Sequence, residues 1–340
     1  MRLNFQPRTV IINLITALTL ALLLEVLLWL GLTHPSTVPG FMEPLYQKYY
    51  LSEDRDILQV SPCGRYDSSL FYMLRTGPCS FVNREFNVLN QINSAGLRDE
   101  EESLHRPSIV VFGDSFTLGW GVDQDKSFPQ LLEELTQQKV LNAGMSSFGT
   151  AREMLLKERL DLSQVQTIII QYHPNDYEEN QKFIGNNFQL KVRSRESYDS
   201  LSNVLSQRVR YYPFKHLMGI SKSFAHRLIK QEDNVNDTIQ ARAFLRILQH
   251  FNIHAHADEI IVFKVDKHGK NTDHFENAVD YLLSIEFKNM KIRTARISTA
   301  LDKSDYFILD DHINANGHGK IARQLREFMN VPASPILVEK

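Results

Sequence analysis

Two cysteines, Cys63 and Cys79, are all that the 340 residues contain. A structural zinc site asks for four ligands, and a cysteine pair with no histidine beside it supplies too few. Basic residues are not in excess: 38 Lys and Arg stand against 40 Asp and Glu, a net charge of −2 that leaves no footprint for nucleic acid. The Gly-x-Ser-x-Gly elbow of one large hydrolase class is missing, as is any Gly-rich phosphate loop. No internal repeat or low-complexity tract stands out, and nothing calls for a metal or an organic cofactor.

One long apolar run is present. Val10 to Leu32 spans about 23 residues, enough to cross a hydrocarbon core of ~30 Å. Arg2 and Arg8 precede it and no Lys or Arg follows until Lys48, so the positive-inside rule leaves residues 1–9 in the cytoplasm and the body outside. Trp29 would then sit at the far interface. A cleaved signal is the alternative, but its apolar region is usually about 7–15 residues long and ends in a small-x-small site, which is not found before His34-Pro35. Glu25 interrupts the run; it is expected to reach the headgroups or be protonated, the alternative being that it faces a partner helix. On the outer side, Cys63 and Cys79 are expected to close a loop of ~16 residues with a disulfide worth about 3 kcal/mol, two free thiols being the alternative.

Residues 33–90 read as a juxtamembrane linker and extension. Pro35, Pro39, Gly40 and Pro44 predict little regular structure up to about Val60, and a strand is expected within Phe81–Ile92. Gly96 marks a turn, and Arg98 is expected to pair with a nearby acid in a structural role. From Ser108 the pattern alternates: strand 109–112, helix 128–136, strand 139–142, helix 151–159, strand 167–171, then strands 259–263 and 291–295 around a helix at 272–286. Such alternation predicts an α/β fold, three layers with a five-stranded parallel sheet between helices. An insertion at about 177–237, with Tyr211, Tyr212, Pro213 and Phe214 before a helix over 215–231, breaks the pattern; it is either a lid or acceptor-binding wall, or a surface helical hairpin.

The apolar run Ile109-Val110-Val111-Phe112 stops at Gly113-Asp114-Ser115, which places Ser115 at the carboxyl end of a buried strand, where open α/β sheets bind ligands. A serine hydroxyl needs a base and something to orient that base. Asp310-Asp311-His312 offers both: Asp310, two residues before His312, can turn back to the imidazole. Asn142-Ala143-Gly144 and His173-Pro174-Asn175-Asp176 each end a strand and carry the donor types that stabilise an oxyanion.

Taken in order, Gly-Asp-Ser, Asn-Ala-Gly, Asn-Asp and Asp-x-His resemble the blocks of the SGNH (GDSL-type) hydrolases, over roughly residues 90–330. The resemblance implies Ser115 as nucleophile, His312 as base, Asp310 as its orienting acid, and an oxyanion hole of the Ser115 and Gly144 N–H groups with the Asn175 side chain. Phe116 stands where Leu is usual, and His173 where the third block usually has Gly. The two-residue spacing of Asp310 and His312 is similar to the alginate-acetylation branch. The resemblance thus implies an extracytoplasmic, membrane-anchored esterase acting on an acylated glycan or another ester. Two alternatives stay open: an acyltransferase working with a membrane acyl donor protein, or a glycan-binding factor without catalysis. Among the neighbours, His318 suits capping or packing, Asp311 solvent, Asp114 the backbone of the elbow, Asn142 and Asp176 the bracing of loops, and His173 a substrate contact.

Overall fold

The computed structural model describes residues 7–60, 62–229, 235–267 and 272–329. The expected tail at 331–340, Arg2, and the end of the helix expected to reach residue 231 lie outside the described residues. Helix α1 (Pro7–Thr33) is long and apolar enough to cross a membrane. Its side chains stay exposed until its last turns, where Glu25, Leu28 and Leu32 become buried.

The segment expected to be an irregular linker is folded. Helix α2 (Glu43–Tyr49) runs into a wide helical turn (Tyr50–Asp54), and a tight turn follows at Leu58–Val60. Tyr46, Tyr49 and Tyr50 recur at three- and four-residue spacing, which aligns them on one face. They pack with Leu28, Leu32, Ile220 and Leu309 into a cluster of their own. The prolines mark the ends of short helices here instead of preventing them: Pro35 opens a turn and Pro44 lies in the first turn of α2.

Two antiparallel hairpins follow, β1 (Gly64–Asp67) with β2 (Phe71–Leu74), and β3 (Gly77–Val82) with β4 (Asn87–Ile92). The strand expected within 81–92 is thus the end of β3, a turn and β4. Cys63 and Cys79 are joined in a disulfide, Cα–Cα 5.6 Å, which ties one hairpin to the other.

The body alternates as expected: β5 (Ile109–Gly113), α3 (Ser115–Leu118), α4 (Phe128–Thr136), β6 (Val140–Gly144), α5 (Thr150–Lys157) and β7 (Thr167–Tyr172). The insertion is helical: α6 (Asp176–Gly185), α7 (Arg195–Arg208) and α8 (Lys215–Ile229). Then come α9 (Asp237–His250), β8 (Glu259–Lys264), α10 (His274–Ile285), β9 (Arg293–Thr294) and α11 (Ala315–Phe328). The sheet is parallel throughout, in the order β6-β5-β7-β8-β9. Side chains alternate across it: Ile109 and Val111 face the cluster holding Phe128, Ile321 and Leu325, while Val110 and Phe112 face the one holding Phe244, Phe275 and Leu282. Both faces are therefore covered, as the near-continuous apolar strands require.

Insertion helix α8 docks on α1. The two Glu25 carboxylate oxygens accept the N–H groups of His216 (3.1 Å) and Leu217 (2.8 Å) in its first turn, where N–H groups have no intrahelical partner. Glu25 therefore faces a helix and not headgroups, which corrects the expectation; a carboxylate at a helix N-terminus also meets the positive end of its dipole. Gly219 lets α8 close onto α2, since a Cβ there would lie 2.0 Å from the Tyr49 ring. Tyr49 Oη and His216 Nδ1 are 2.8 Å apart, and Asp54 takes both Lys215 and Arg84 at 2.6 Å.

Candidate active site

Gly113 ends β5 and Asp114 caps α3, its Oδ1 accepting the Phe116 N–H at 3.0 Å. Ser115 thereby opens a short helix at the mouth of the sheet, nearly buried at 6% exposure. His312 arrives from the loop before α11, and its Nε2 lies 2.7 Å from Ser115 Oγ. Its Nδ1 lies 2.5 Å from Asp310 Oδ1. The ring is held between Trp120 (centroids 4.9 Å apart, 19° between planes) and Phe116 (4.8 Å, 37°). The structure thus brings Ser115, His312 and Asp310 into one line, with the imidazole fixed in place and tilt.

Asp310 is fully buried and heavily partnered. Its Oδ2 accepts from Tyr50 Oη and Trp120 Nε1, both at 3.1 Å, and Arg55 Nη1 approaches Oδ1 at 3.4 Å. Burial alone would raise the Asp310 carboxyl; His312, Arg55 and Trp120 outweigh it and hold the group well below the usual carboxylate range. Arg55 also donates to Asp311 at 2.9 Å, and Lys267 lies 3.5 Å from the other oxygen, so Asp311 is paired and largely buried where solvent was expected. Glu85 fixes the loop itself by accepting the N–H groups of Ile308, Leu309 and Asp310 at 2.7–2.8 Å. Asp310, Asp311 and His312 place three donor atoms within 4.8 Å of one another, yet Arg55 already supplies a cation to both carboxylates. Tyr50, Arg55, Trp120 and Glu85 were not found from sequence. Trp120, five residues after the serine, was the one legible signal; Tyr50 and Arg55 sit in the stretch read as linker.

The oxyanion side departs from expectation at one position. Gly144 lies inside β6, its N–H donating to Asn142 Oδ1 at 3.0 Å, so that N–H is already taken. The glycine serves packing: a Cβ would lie 2.3 Å from the Leu118 nitrogen, and its absence lets β6 close on α3. Asn175 is exposed at the start of α6, and its Nδ2 lies 3.4 Å from Asp114 Oδ2, next to Ser115. Ser147 stands exposed on the loop after β6 with φ +59°, a left-handed backbone that a non-glycine residue adopts at a cost. Ser147 and Asn175 both line a cavity of about 990 Å³ walled by Gln59, Phe148, Arg152 and, from α7, Leu201 and Leu205. Helix α7 is a fixed wall: Tyr198 Oη donates to Gln59 O at 2.9 Å and Ser202 Oγ to Val60 O at 2.7 Å.

The remaining candidates are structural. His173 is buried behind Phe116, with ring centroids 5.2 Å apart, and its Nδ1 accepts the Asn175 N–H at 3.2 Å, so it braces the loop where substrate contact was expected. His318 is fully buried, stacks on Phe128 and accepts its N–H at 3.1 Å. Arg98 meets carbonyls instead of an acid: Leu118, Gly119 and Val122 accept from it at 2.6–3.1 Å, pinning the loop after α3. Asp176 Oδ2 accepts from Thr150 at 3.1 Å, and beneath it Glu153 is buried, burial and then the Asp176 and Asp114 charges raising its carboxyl well above the usual range.

No family model matches the chain, and no curated protein does. Among solved structures the chain is similar to a lipolytic protein of the G-D-S-L family from Desulfitobacterium hafniense DCB-2, at 14% identity and TM-score 0.36, over 65% of this chain and 98% of that one. It is similar to a family two carbohydrate esterase from Cellvibrio japonicus, at 14% identity and TM-score 0.36, over 66% of this chain and 62% of that one. A salicylyl-acyltransferase from a tetracycline biosynthetic pathway matches at 11% identity and TM-score 0.35, over 66% of this chain and 54% of that one. Likenesses this distant leave the chemistry to be read from the Ser115, His312 and Asp310 geometry.

Proposed function

We propose that this chain is a serine esterase of the SGNH type, anchored by α1 and facing the outside of the cytoplasm, that acts through an acyl-enzyme on ester groups, in the first instance O-acetyl groups of a glycan. The observation that carries the reading is the hydrogen-bonded line from Ser115 Oγ through His312 to Asp310. A nucleophile in reach of a base, and that base in reach of a buried acid, is the arrangement acyl transfer needs. Asp310 holds Nδ1–H, which leaves Nε2 free to take the Ser115 proton as Oγ bonds the carbonyl carbon. The developing oxyanion is met by the Ser115 N–H at the start of α3, by Asn175 Nδ2, and by the backbone N–H of Ser147 in the role first expected of Gly144. His312 then returns its proton to the departing alcohol oxygen, and the acyl group passes to water activated by the same imidazole.

Transfer to a sugar hydroxyl is the second reading, favoured by the cavity of about 990 Å³ beside Asn175, which has room for an acceptor. The Cys63–Cys79 disulfide and the charges flanking α1 support the outward topology. The test is hydrolysis of a short-chain aryl acetate by the full chain in detergent, with Ser115→Ala beside it and a fluorophosphonate as covalent probe. Turnover and labelling, both lost in the variant, are expected. A folded protein that neither turns over nor labels at Ser115 would sink the assignment; acyl transfer to added glycan in preference to water selects the second reading.

A further inference from the structure

The insertion helix α8 hangs on the membrane helix at an unusual height. Glu25, whose carboxylate takes the His216 and Leu217 N–H groups, lies within the apolar run 10–32. Leu32 follows it seven residues later, about 10 Å along a helix that rises 1.5 Å per residue. The start of α8 is therefore held short of the far end of the apolar run, which with α1 as the anchor corresponds to the depth of the outer leaflet. What α8 and the residues before it present there is largely apolar and exposed: Tyr211, which also meets Glu25 and the His216 ring, is 61% exposed, Tyr212 46%, Met218 47% and Phe224 56%. Trp29 on α1 and Phe41 just beyond it are exposed as well, Phe41 at 82%.

We propose that α8, with Tyr211 and Tyr212 before it, lies in the outer leaflet of the same bilayer that α1 crosses, so that lipid covers its exposed face. The inference rests on α1 being the membrane anchor. An amphipathic helix of this kind buries its apolar side about 5–10 Å into the boundary between headgroups and acyl chains. Tyrosine rings suit that boundary because their bodies are apolar and their hydroxyls stay wet. The exposed Lys222 extends its ammonium to the phosphates while its stem lies along the apolar surface. The docking contacts on the other side are already filled, Gly219 by Tyr49 and Ile220 by the cluster of Leu28 and Leu32, which leaves the Met218 and Phe224 side for the lipid.

The test uses the full chain in phosphatidylcholine and phosphatidylglycerol vesicles, with single cysteines carrying a nitrobenzoxadiazole dye. The native cysteines are joined to each other and do not compete for the label. Met218→Cys and Phe224→Cys report on α8, Leu18→Cys on the anchor, and Leu89→Cys, on exposed β4, on water; melting temperatures show that each variant is folded. Nitroxide-labelled lipid is expected to quench the dyes at 218 and 224, with iodide quenching at least about fivefold weaker than at 89. If the dye at 18 is lipid-quenched while those at 218 and 224 respond to iodide as the one at 89 does, the proposal is overturned and the face is a water-exposed surface open to a protein partner. If the dye at 18 also responds to iodide, the anchor reading itself has failed.

Discussion

Arg55 is the residue on which two acids depend. It lies between Asp310 and Asp311 and over Trp120, 5.5 Å from the ring, so it balances the charge that faces His312. Arg55→Gln leaves the two buried carboxylates without that cation. It is expected to lower kcat/KM for an aryl acetate and the melting temperature together, while Arg55→Lys, which keeps a positive charge, recovers part of both; activity and melting temperature unchanged in Arg55→Gln would show that the cation is dispensable. Asn175→Ala is expected to cost about 10²–10³ in kcat with little change in KM, the usual result of losing one oxyanion donor. Ser147→Gly keeps the backbone N–H and removes the strain of a positive φ, so its kcat should stay within a few-fold of the parent; a loss matching Asn175→Ala would point to the Ser147 hydroxyl instead. Ser115, His312 and Asp310, the proposed nucleophile, base and acid, could be picked out because each stands at the end of a recognisable apolar run or in a compact Asp-x-His block. Arg55 was not, because its partners lie some 255 residues away and no local pattern announces a contact of that range.

At the scale of elements, strands and helices of the body were readable from alternation, since a doubly covered parallel sheet writes its strands as unbroken apolar runs. The miss, the segment read as a linker, has a tertiary cause: helix α2 and the turn after it are stabilised by tyrosines that bury against α1 and α8, an effect that composition does not carry. The strand expected over 291–295 is present as β9, two residues long and paired with β8. Helix α11 supplies a stability test. Burial, with Arg98 and His312 nearby, pushes the His318 imidazole down to about 3. Between that value and the ordinary 6.5 the unfolded chain binds a proton that the folded chain refuses. The contribution is complete above pH 6.5 and shrinks as pH falls, by up to about 1.4 kcal/mol per unit. His318→Gln should flatten the dependence of urea-unfolding stability between pH 6.5 and 4.5 relative to the parent, a comparison in which buried Asp99, raised to about 6 and acting in the opposite sense, cancels. An unchanged slope would show that His318 is protonated in the fold.

The whole molecule is built as one piece with its amino-terminal helix. Leu28 and Leu32 enter the same cluster as Tyr50 and Leu309, and these flank or touch Asp310. A chain starting at residue 36, a natural choice for a soluble version, loses the Glu25 carboxylate on α8 and two buried leucines. Each buried leucine side chain is worth about 2–5 kcal/mol when truncated, so the shortened chain should melt well below the full one and hydrolyse aryl acetate more slowly. Equal melting temperatures would show that α1 is merely a tether. A packed helix also removes the swivel that a flexible stalk would allow. With α1 as the proposed anchor, Ser115 would then sit at one height over the lipid and face one way, so its encounters with an ester would be governed by how densely that ester is laid out along the neighbouring surface, not by how much is dissolved in the surrounding volume.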